Sequence, residues 1–332
     1  MSRASFLVFG AGAWGTALSL QLNKSGNEVY LSSFDNANLS SIASTRINEK
    51  YLSGVTLPEE IQVTELNQGL LKKVDCVVIC VKSPYFSKAL SVLNNPQTTF
   101  KVLWATKGFD LNSGALLSEM VSNHYGNGVE HGVLSGPTFA EELSLNKPAA
   151  ITLATNTIKD PSELASSMSN ENLRVYISTD PIGVQLGGSL KNIIAIASGI
   201  SDAMHMGANA RAALITRGAE EMRALGTSLG ANEATFSGLS GIGDLVLSST
   251  DDQSRNRQLG IHIGGGGSLD SFKERNNGTP EGVHAVRALV RAGMVNDAQF
   301  PITTRVYKIL FEGLSAREAG MELMTRPLRF EN

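Results

Sequence analysis

Ser5–Gly15, SFLVFGAGAWG, is the stretch whose reading decides the fold. Ser5–Phe9 is a short apolar run rich in Phe and Val, suited to a strand buried on both faces. Gly10, Gly12 and Gly15 follow it directly as G-x-G-x-x-G. In that context the first glycine permits a tight turn and the second lets the backbone approach a pyrophosphate. The third lets the next helix pack closely on the sheet. Trp14, Leu18 and Leu22 recur at i, i+4 spacing, which predicts a helix over Trp14–Asn23 with Gly26 as its left-handed C-cap. A pyrophosphate would meet that helix's free N–H groups and positive dipole end. A glycine turn that binds nothing has the same letters, but the position between strand and helix favours a dinucleotide.

The chain has 332 residues, enough for about two domains. With 42% hydrophobic and 18% charged residues it reads as globular. A net charge of −3 gives no electrostatic case for nucleic acid or an anionic membrane. Any phosphate must therefore be met by a few placed cations. Cys76 and Cys80 share one apolar run, DCVVICV, and along a strand they stand too far apart to bridge. Buried free thiols in a reducing compartment are expected. The start MSRAS leads straight into the first strand, leaving no room for a signal peptide, and no uninterrupted apolar run reaches the ~20 residues of a membrane helix. The expected location is the cytoplasm, without membrane insertion.

Further along, Glu28–Leu31, Asp75–Val81, Lys101–Thr106, His131–Leu134, Ala149–Ala154 and Arg174–Ile177 read as strands alternating with helical stretches. That alternation predicts an α/β fold with a doubly wound, mainly parallel sheet over residues 1–180. Ligands of such sheets bind beyond the carboxyl ends of the strands. This singles out Gly10–Gly15, Lys82, Lys107 and Ser135–Thr138, although Lys82 or Lys107 taken singly reads better as a surface lysine. Asp35 stands near the point where an NAD-binding unit holds the ribose hydroxyls, but it suits a helix N-cap as well. Ser32 and Ser33 offer hydroxyls, and no basic side chain is close in sequence to hold a 2′-phosphate, which leans towards NAD.

From Pro181 helical patterns take over, predicting an all-α second domain over residues 181–332. Pro181–Met206 is expected to be one helix, and its segment IIAIASGI, Ile193–Ile200, is apolar on every side, as in a wholly buried helix. Lys191 heads that segment, where an ionised lysine is costly unless paired, or must snorkel out. Arg211–Leu225 reads as a second long helix. Phe236–Asp244, FSGLSGIGD, would set Asp244 at a glycine-rich turn. Ser254-Arg255-Asn256-Arg257 supplies cations, a hydroxyl and an amide, or only a solvated basic turn. Ile261–Asn277, with Gly264–Gly267, reads as a mobile loop. Helices are expected at Val283–Ala292 and from Pro301. The five histidines show no metal-ligand spacing.

These motifs in this order resemble the bacterial-type NAD(P)-dependent glycerol-3-phosphate dehydrogenases. The resemblance runs through GAGAWGTA, KYLSGVTLP, ATKG, SGPTFAEE, GGSLKN, NARAALITRG, TFSGLSGIGDLVL, SRNR, PEGV and PITTRVYKIL. It implies a Rossmann-like N-terminal domain, NAD or NADP as cofactor, and the dihydroxyacetone phosphate/glycerol 3-phosphate pair as substrate. Lys191 matches the catalytic lysine, and Asp244 is expected to orient it together with Asn192. Lys107, Gly136, Thr138, Asp244, Ser254, Arg255 and Asn256 match substrate-contacting positions. Ala13, Trp14, Phe34, Lys107, Ala140, Arg255, Thr279 and Glu281 match cofactor positions, alongside Gly10, Gly12 and Gly15. A homodimer and a place in phospholipid synthesis are implied as well.

Three positions depart from the family pattern. Phe34 stands where many relatives have histidine or arginine, Ser189 replaces an alanine beside Lys191, and Thr279 replaces an apolar residue. Phe34 weakens a case for NADP, whereas Asp35 is shared with relatives that use it. Two other readings fit parts of the chain: a dehydrogenase of 3-hydroxyacids or hydroxyacyl thioesters, and a non-catalytic dinucleotide sensor. Neither accounts for GGSLKN, GIGD and SRNR together.

Overall fold

The computed structural model describes residues 4–94, 100–126, 128–275 and 278–326. Met1–Arg3 of the MSRAS start, and Asn276–Asn277 of the expected loop, lie outside them. Among the described residues the strands are β1 Ser5–Phe9, β2 Glu28–Ser32, β3 Ile47–Asn48, β4 Leu52–Thr56, β5 Ile61–Val63, β6 Cys76–Ile79, β7 Lys101–Trp104, β8 His131–Ser135, β9 Ala149–Ala154 and β10 Leu173–Ser178. The helices of the first half are α1 Ala13–Lys24, α2 Asn36–Thr45, α3 Gln68–Leu71, α4 Phe86–Val92, α5 Leu117–Tyr125, α6 Ala140–Ser144 and α7 Pro161–Met168. Those of the second half are α8 Pro181–Ala203, α9 Gly207–Ser228, α10 Asp244–Thr250, α11 Arg255–Gly264, α12 Leu269–Arg275, α13 Glu281–Arg291, α14 Pro301–Phe311 and α15 Ala316–Met324.

Eight strands form one sheet in the order β10-β9-β8-β7-β6-β1-β2-β5. Every neighbouring pair is parallel except β8 with β9. The sheet is covered on both faces, which explains why its strands read as continuous apolar runs. In β1, Phe6 and Val8 enter one core while Leu7 and Phe9 enter the other. The expected strands are present, and β5 and the small β3–β4 hairpin join them. β6 ends at Ile79, so Cys76 opens the strand and Cys80 lies just past it. Both cysteines are free, Cys76 buried and Cys80 half-buried.

The glycine turn closes as its spacing requires. Gly10 has φ +126°, and a Cβ there would lie 2.5 Å from the Cys80 carbonyl oxygen. A Cβ on Gly15 would lie 2.0 Å from the Gly10 oxygen, so α1 reaches the sheet only because that carbon is missing.

α8 is the axis of the helical half. Asp180 caps it, accepting from the Gly183 N–H at 2.8 Å, with Pro181 in the first turn. Every residue from Gly183 to Ser201 is buried, as the all-round apolar pattern requires. α9, α10, α11, α13 and α14 all pack against it. The closest crossing, with α11, depends on two glycines. Cβ atoms on Gly199 and Gly260 would each lie 2.1 Å from a carbonyl oxygen of the opposite helix. Ile193, Ile196, Leu245, Leu259 and Val286 fill the core around this crossing.

The mobile loop expected over Ile261–Asn277 is instead mostly helical. α11 continues to Gly264, and α12 occupies Leu269–Arg275 with Phe272 buried. The four glycines, Gly264–Gly267, end α11 instead of opening a long loop. Among the described residues no helix is long and apolar enough to cross a membrane.

Candidate active site

Lys191 lies in the middle of α8, and only 7% of it is exposed, so it does not snorkel. Its ammonium donates to Asp244 Oδ1 at 2.7 Å and to Ser248 Oγ. Lys107, just past β7, donates to the other oxygen, Asp244 Oδ2, so it is not a surface lysine. Asp244 does not sit in a turn. A π-helical turn, Leu239–Gly243, precedes it, and Asp244 opens α10, where the helix dipole favours a carboxylate. Ser248 is one helical turn further on and shares that face. Its hydroxyl stands 3.4 Å from Asp244 Oδ1. The sequence reading missed Ser248. The i+4 spacing from Asp244 is its only sequence signal, and that applies only once the segment is known to be helical.

Two ammonium groups thus share one carboxylate that is 1% exposed. Burial lowers the Lys191 pKa to about 8, with Lys107 assisting and the Asp244 charge opposing. For Asp244, burial pushes upward, but Lys107 and Lys191 outweigh it and hold the carboxyl below its ordinary range. Such a cluster can donate a proton and stabilise a developing oxyanion.

Asn192 does not orient Lys191. Its amide donates to the Gly188 oxygen at 3.3 Å and its Oδ1 accepts from Asn256 at 2.9 Å. Asn256 Oδ1 in turn accepts from the Gly282 N–H at 2.9 Å, joining α8, α11 and α13. Ser254 caps α11, accepting from the Arg257 N–H at 3.3 Å. Arg255 Nη2 donates to the Gly278 oxygen at 3.1 Å, which places it beside Thr279.

The turn after β8 joins both halves. Gly136 there has φ +154°, and a Cβ on Gly243 would be 3.6 Å from Pro137. Thr138 Oγ1 accepts from Trp14 Nε1 at 3.1 Å, tying the first turn of α1 to β8. Ala140 opens α6 and packs against the sheet core. Glu281, opening α13, accepts from Ser83 Oγ at 2.7 Å and from the Ser83 N–H at 3.3 Å. Burial raises its pKa to about 7 despite those bonds and the nearby Lys82 and Arg255.

The first turn of α1 fits a dinucleotide phosphate. Its N-cap is Gly12, no side chain caps the N–H groups, and nothing lies within 4 Å of the point a Gly12 Cβ would take. Gly10, Gly12, Ala13, Trp14 and Gly15 are all at this turn.

Residues 5–160 match the model of the NAD-dependent glycerol-3-phosphate dehydrogenase N-terminus, and residues 180–321 match that of its C-terminus. The chain belongs to this glycerol-3-phosphate dehydrogenase family. A Thioalkalivibrio sulfidiphilus protein named glycerol-3-phosphate dehydrogenase (NAD(P)+) is 41% identical over 98% of both chains. One of the same name from Legionella pneumophila subsp. pneumophila is 38% identical over 100% of both. The crystal structure of glycerol-3-phosphate dehydrogenase from Coxiella burnetii superposes with a TM-score of 0.91 at 35% identity, covering 98% of this chain and 99% of that one.

In this family member the loop after β2 bears out the N-cap reading of Asp35 and differs from the sequence expectation only in the cations around it. Asp35 caps α2, accepting from the Asn38 N–H at 3.0 Å, and pairs with Lys50 at 2.7 Å. Phe34 stands edge-on to Phe9, and the Lys88 ammonium lies 4.7 Å from its ring centroid. Basic side chains therefore do flank this loop, brought by the fold from distant positions.

Proposed function

We propose that the chain is an NAD(P)-dependent sn-glycerol-3-phosphate dehydrogenase, interconverting dihydroxyacetone phosphate and glycerol 3-phosphate. The observation that carries this reading is the buried Lys107–Asp244–Lys191 cluster, held by Ser248 beyond the carboxyl end of β7. When bound, the nicotinamide supplies or takes the hydride. Lys191 gives a proton to the substrate oxygen in reduction and takes it back in oxidation. A pKa of about 8 leaves either direction accessible near neutrality. Asp244 holds Lys191 in place and keeps it charged, and Ser248 fixes its ammonium from a second side.

Lys107 adds a second positive charge near the developing oxyanion. Arg255, with Asn256, Ser254 and the turn at Gly136–Thr138, meets the substrate phosphate, whose binding positions the reacting carbon. Gly10–Gly15 seats the pyrophosphate, and Phe34, Ala140, Thr279 and Glu281 line the rest of the cofactor path. The anchoring of Arg255 to Gly278 and of Glu281 to Ser83 supports that path running along the Gly278–Glu281 strap.

We further take residues 1–180 as the dinucleotide-binding domain and residues 181–332 as the helical substrate domain. The change from sheet to helices at Pro181 supports this division. A cytoplasmic homodimer supplying glycerol 3-phosphate for phospholipid synthesis follows from the family. The test is oxidation of NADH and NADPH with dihydroxyacetone phosphate, beside dihydroxyacetone and a panel of oxoacids. Turnover of dihydroxyacetone phosphate is expected, with dihydroxyacetone a far poorer substrate and the oxoacids inert. Preference for an oxoacid, or no turnover of any substrate, overturns the reading.

A further inference from the structure

The loop joining β2 to α2, Ser33–Asp35, is where the adenosine ribose of a dinucleotide seated on the glycine turn is read. An acid at this point selects NAD by accepting from the ribose hydroxyls, and its charge repels a 2′-phosphate. In this chain that acid is already engaged on both oxygens. Asp35 Oδ1 accepts from the Asn38 N–H at 3.0 Å, and Oδ2 accepts from Lys50 at 2.7 Å. The neighbouring Phe34 is fixed by its edge-on contact with Phe9, ring centroids 4.9 Å apart, and Lys88 lies over its face. Among the described residues Lys88 has no carboxylate partner.

The loop therefore carries two ammonium groups against one carboxylate, and that carboxylate is neutralised. Asp35 offers a ribose diol only a carboxylate already shared between the Asn38 N–H and the Lys50 ammonium. A phosphate dianion needs cations on stems that can reach it, and lysines provide that. Resting on the dehydrogenase reading, we propose that Lys50 and Lys88 read a 2′-phosphate, so that the chain binds NADPH more tightly than NADH.

Equilibrium titration of the full chain with NADH and NADPH, followed by reduced-nicotinamide fluorescence, tests this without turnover. In low salt, NADPH is expected to bind about tenfold more tightly, with the gap narrowing as salt screens the loop. Lys88→Met should weaken NADPH about fivefold and leave NADH unchanged. Lys50→Met frees Asp35 Oδ2, so it should weaken NADPH while tightening NADH. A purely structural Lys50 would move both in the same direction. Equal affinities in the unaltered chain, a preference for NADH, or variants that weaken both cofactors alike overturn the proposal. Binding of neither cofactor overturns the dehydrogenase reading and this proposal with it.

Discussion

Replacing Asp244 with Asn removes the one negative charge between Lys107 and Lys191 while keeping the side chain's shape. The Asp244–Lys191 contact is 2.7 Å and buried. At an effective dielectric of ~20, opposite charges ~3 Å apart attract by about 5 kcal/mol. Desolvation and the competing Lys107 ammonium offset about half, leaving roughly 2.5 kcal/mol, or about two pKa units. The sign is fixed by the geometry. Without Asp244, burial and Lys107 both push Lys191 downward and nothing opposes them. Its pKa should fall from about 8 to ~6, and near ~pH 7 its protonated share drops from roughly nine-tenths to one-tenth. The assay is the pH profile of kcat/KM for dihydroxyacetone phosphate reduction, which reports the free enzyme. In the unaltered chain the rate should fall as pH rises through about 8. In the variant the fall should begin near ~6, with activity partly recovered below that. A break that stays in place, or moves upward, would refute the assignment of Lys191 as the proton donor tuned by Asp244.

Ser248→Ala leaves Asp244 in place but removes the second acceptor for the Lys191 ammonium. A fall in kcat of about tenfold is expected, with the NADH dissociation constant unchanged. Gly15→Ala forces a Cβ to 2.0 Å from the Gly10 oxygen and should abolish dinucleotide binding in a fluorescence titration, with a lowered Tm as well. Arg255→Ala should raise KM for dihydroxyacetone phosphate far more than for dihydroxyacetone, and equal effects would move Arg255 away from the phosphate. Glu281 has a folded pKa raised from 4.5 to about 7, so the stability it contributes is present below 4.5 and lost as pH rises through about 7. Glu281→Gln should therefore flatten the decline of Tm over that window, and an unchanged slope would mean Glu281 titrates normally.

The parts legible in the sequence are those set by local pattern. Ser5–Gly15 announces its strand, turn and helix through glycine spacing, and Ile193–Ile200 announces a buried helix by lacking a polar face. Lys191 stood out because a cation in such a segment must find partners. What stayed hidden depends on tertiary contacts or on a wrong local assignment. Reading Asp244 as a turn residue concealed Ser248, since i+4 neighbours meet only on a helix. The glycines at Gly264–Gly267 suggested a loop, yet the buried Phe272 holds the next helix in place. Lys50 and Lys88 reach the β2–α2 loop across the fold, whereas no cation stands close to that loop in sequence. Asn192 adjoins Lys191 in sequence, but on a helix adjacent residues point apart, and its amide serves Gly188 and Asn256 instead.

The most direct measurement is the rate of dihydroxyacetone phosphate reduction by Lys191→Met, with NADH and NADPH binding and Tm measured on the same sample. The reading of Lys191 as proton carrier predicts a loss of about a thousandfold in kcat with cofactor affinity retained. Turnover within about tenfold of the unaltered chain, with fold and cofactor binding intact, would contradict it.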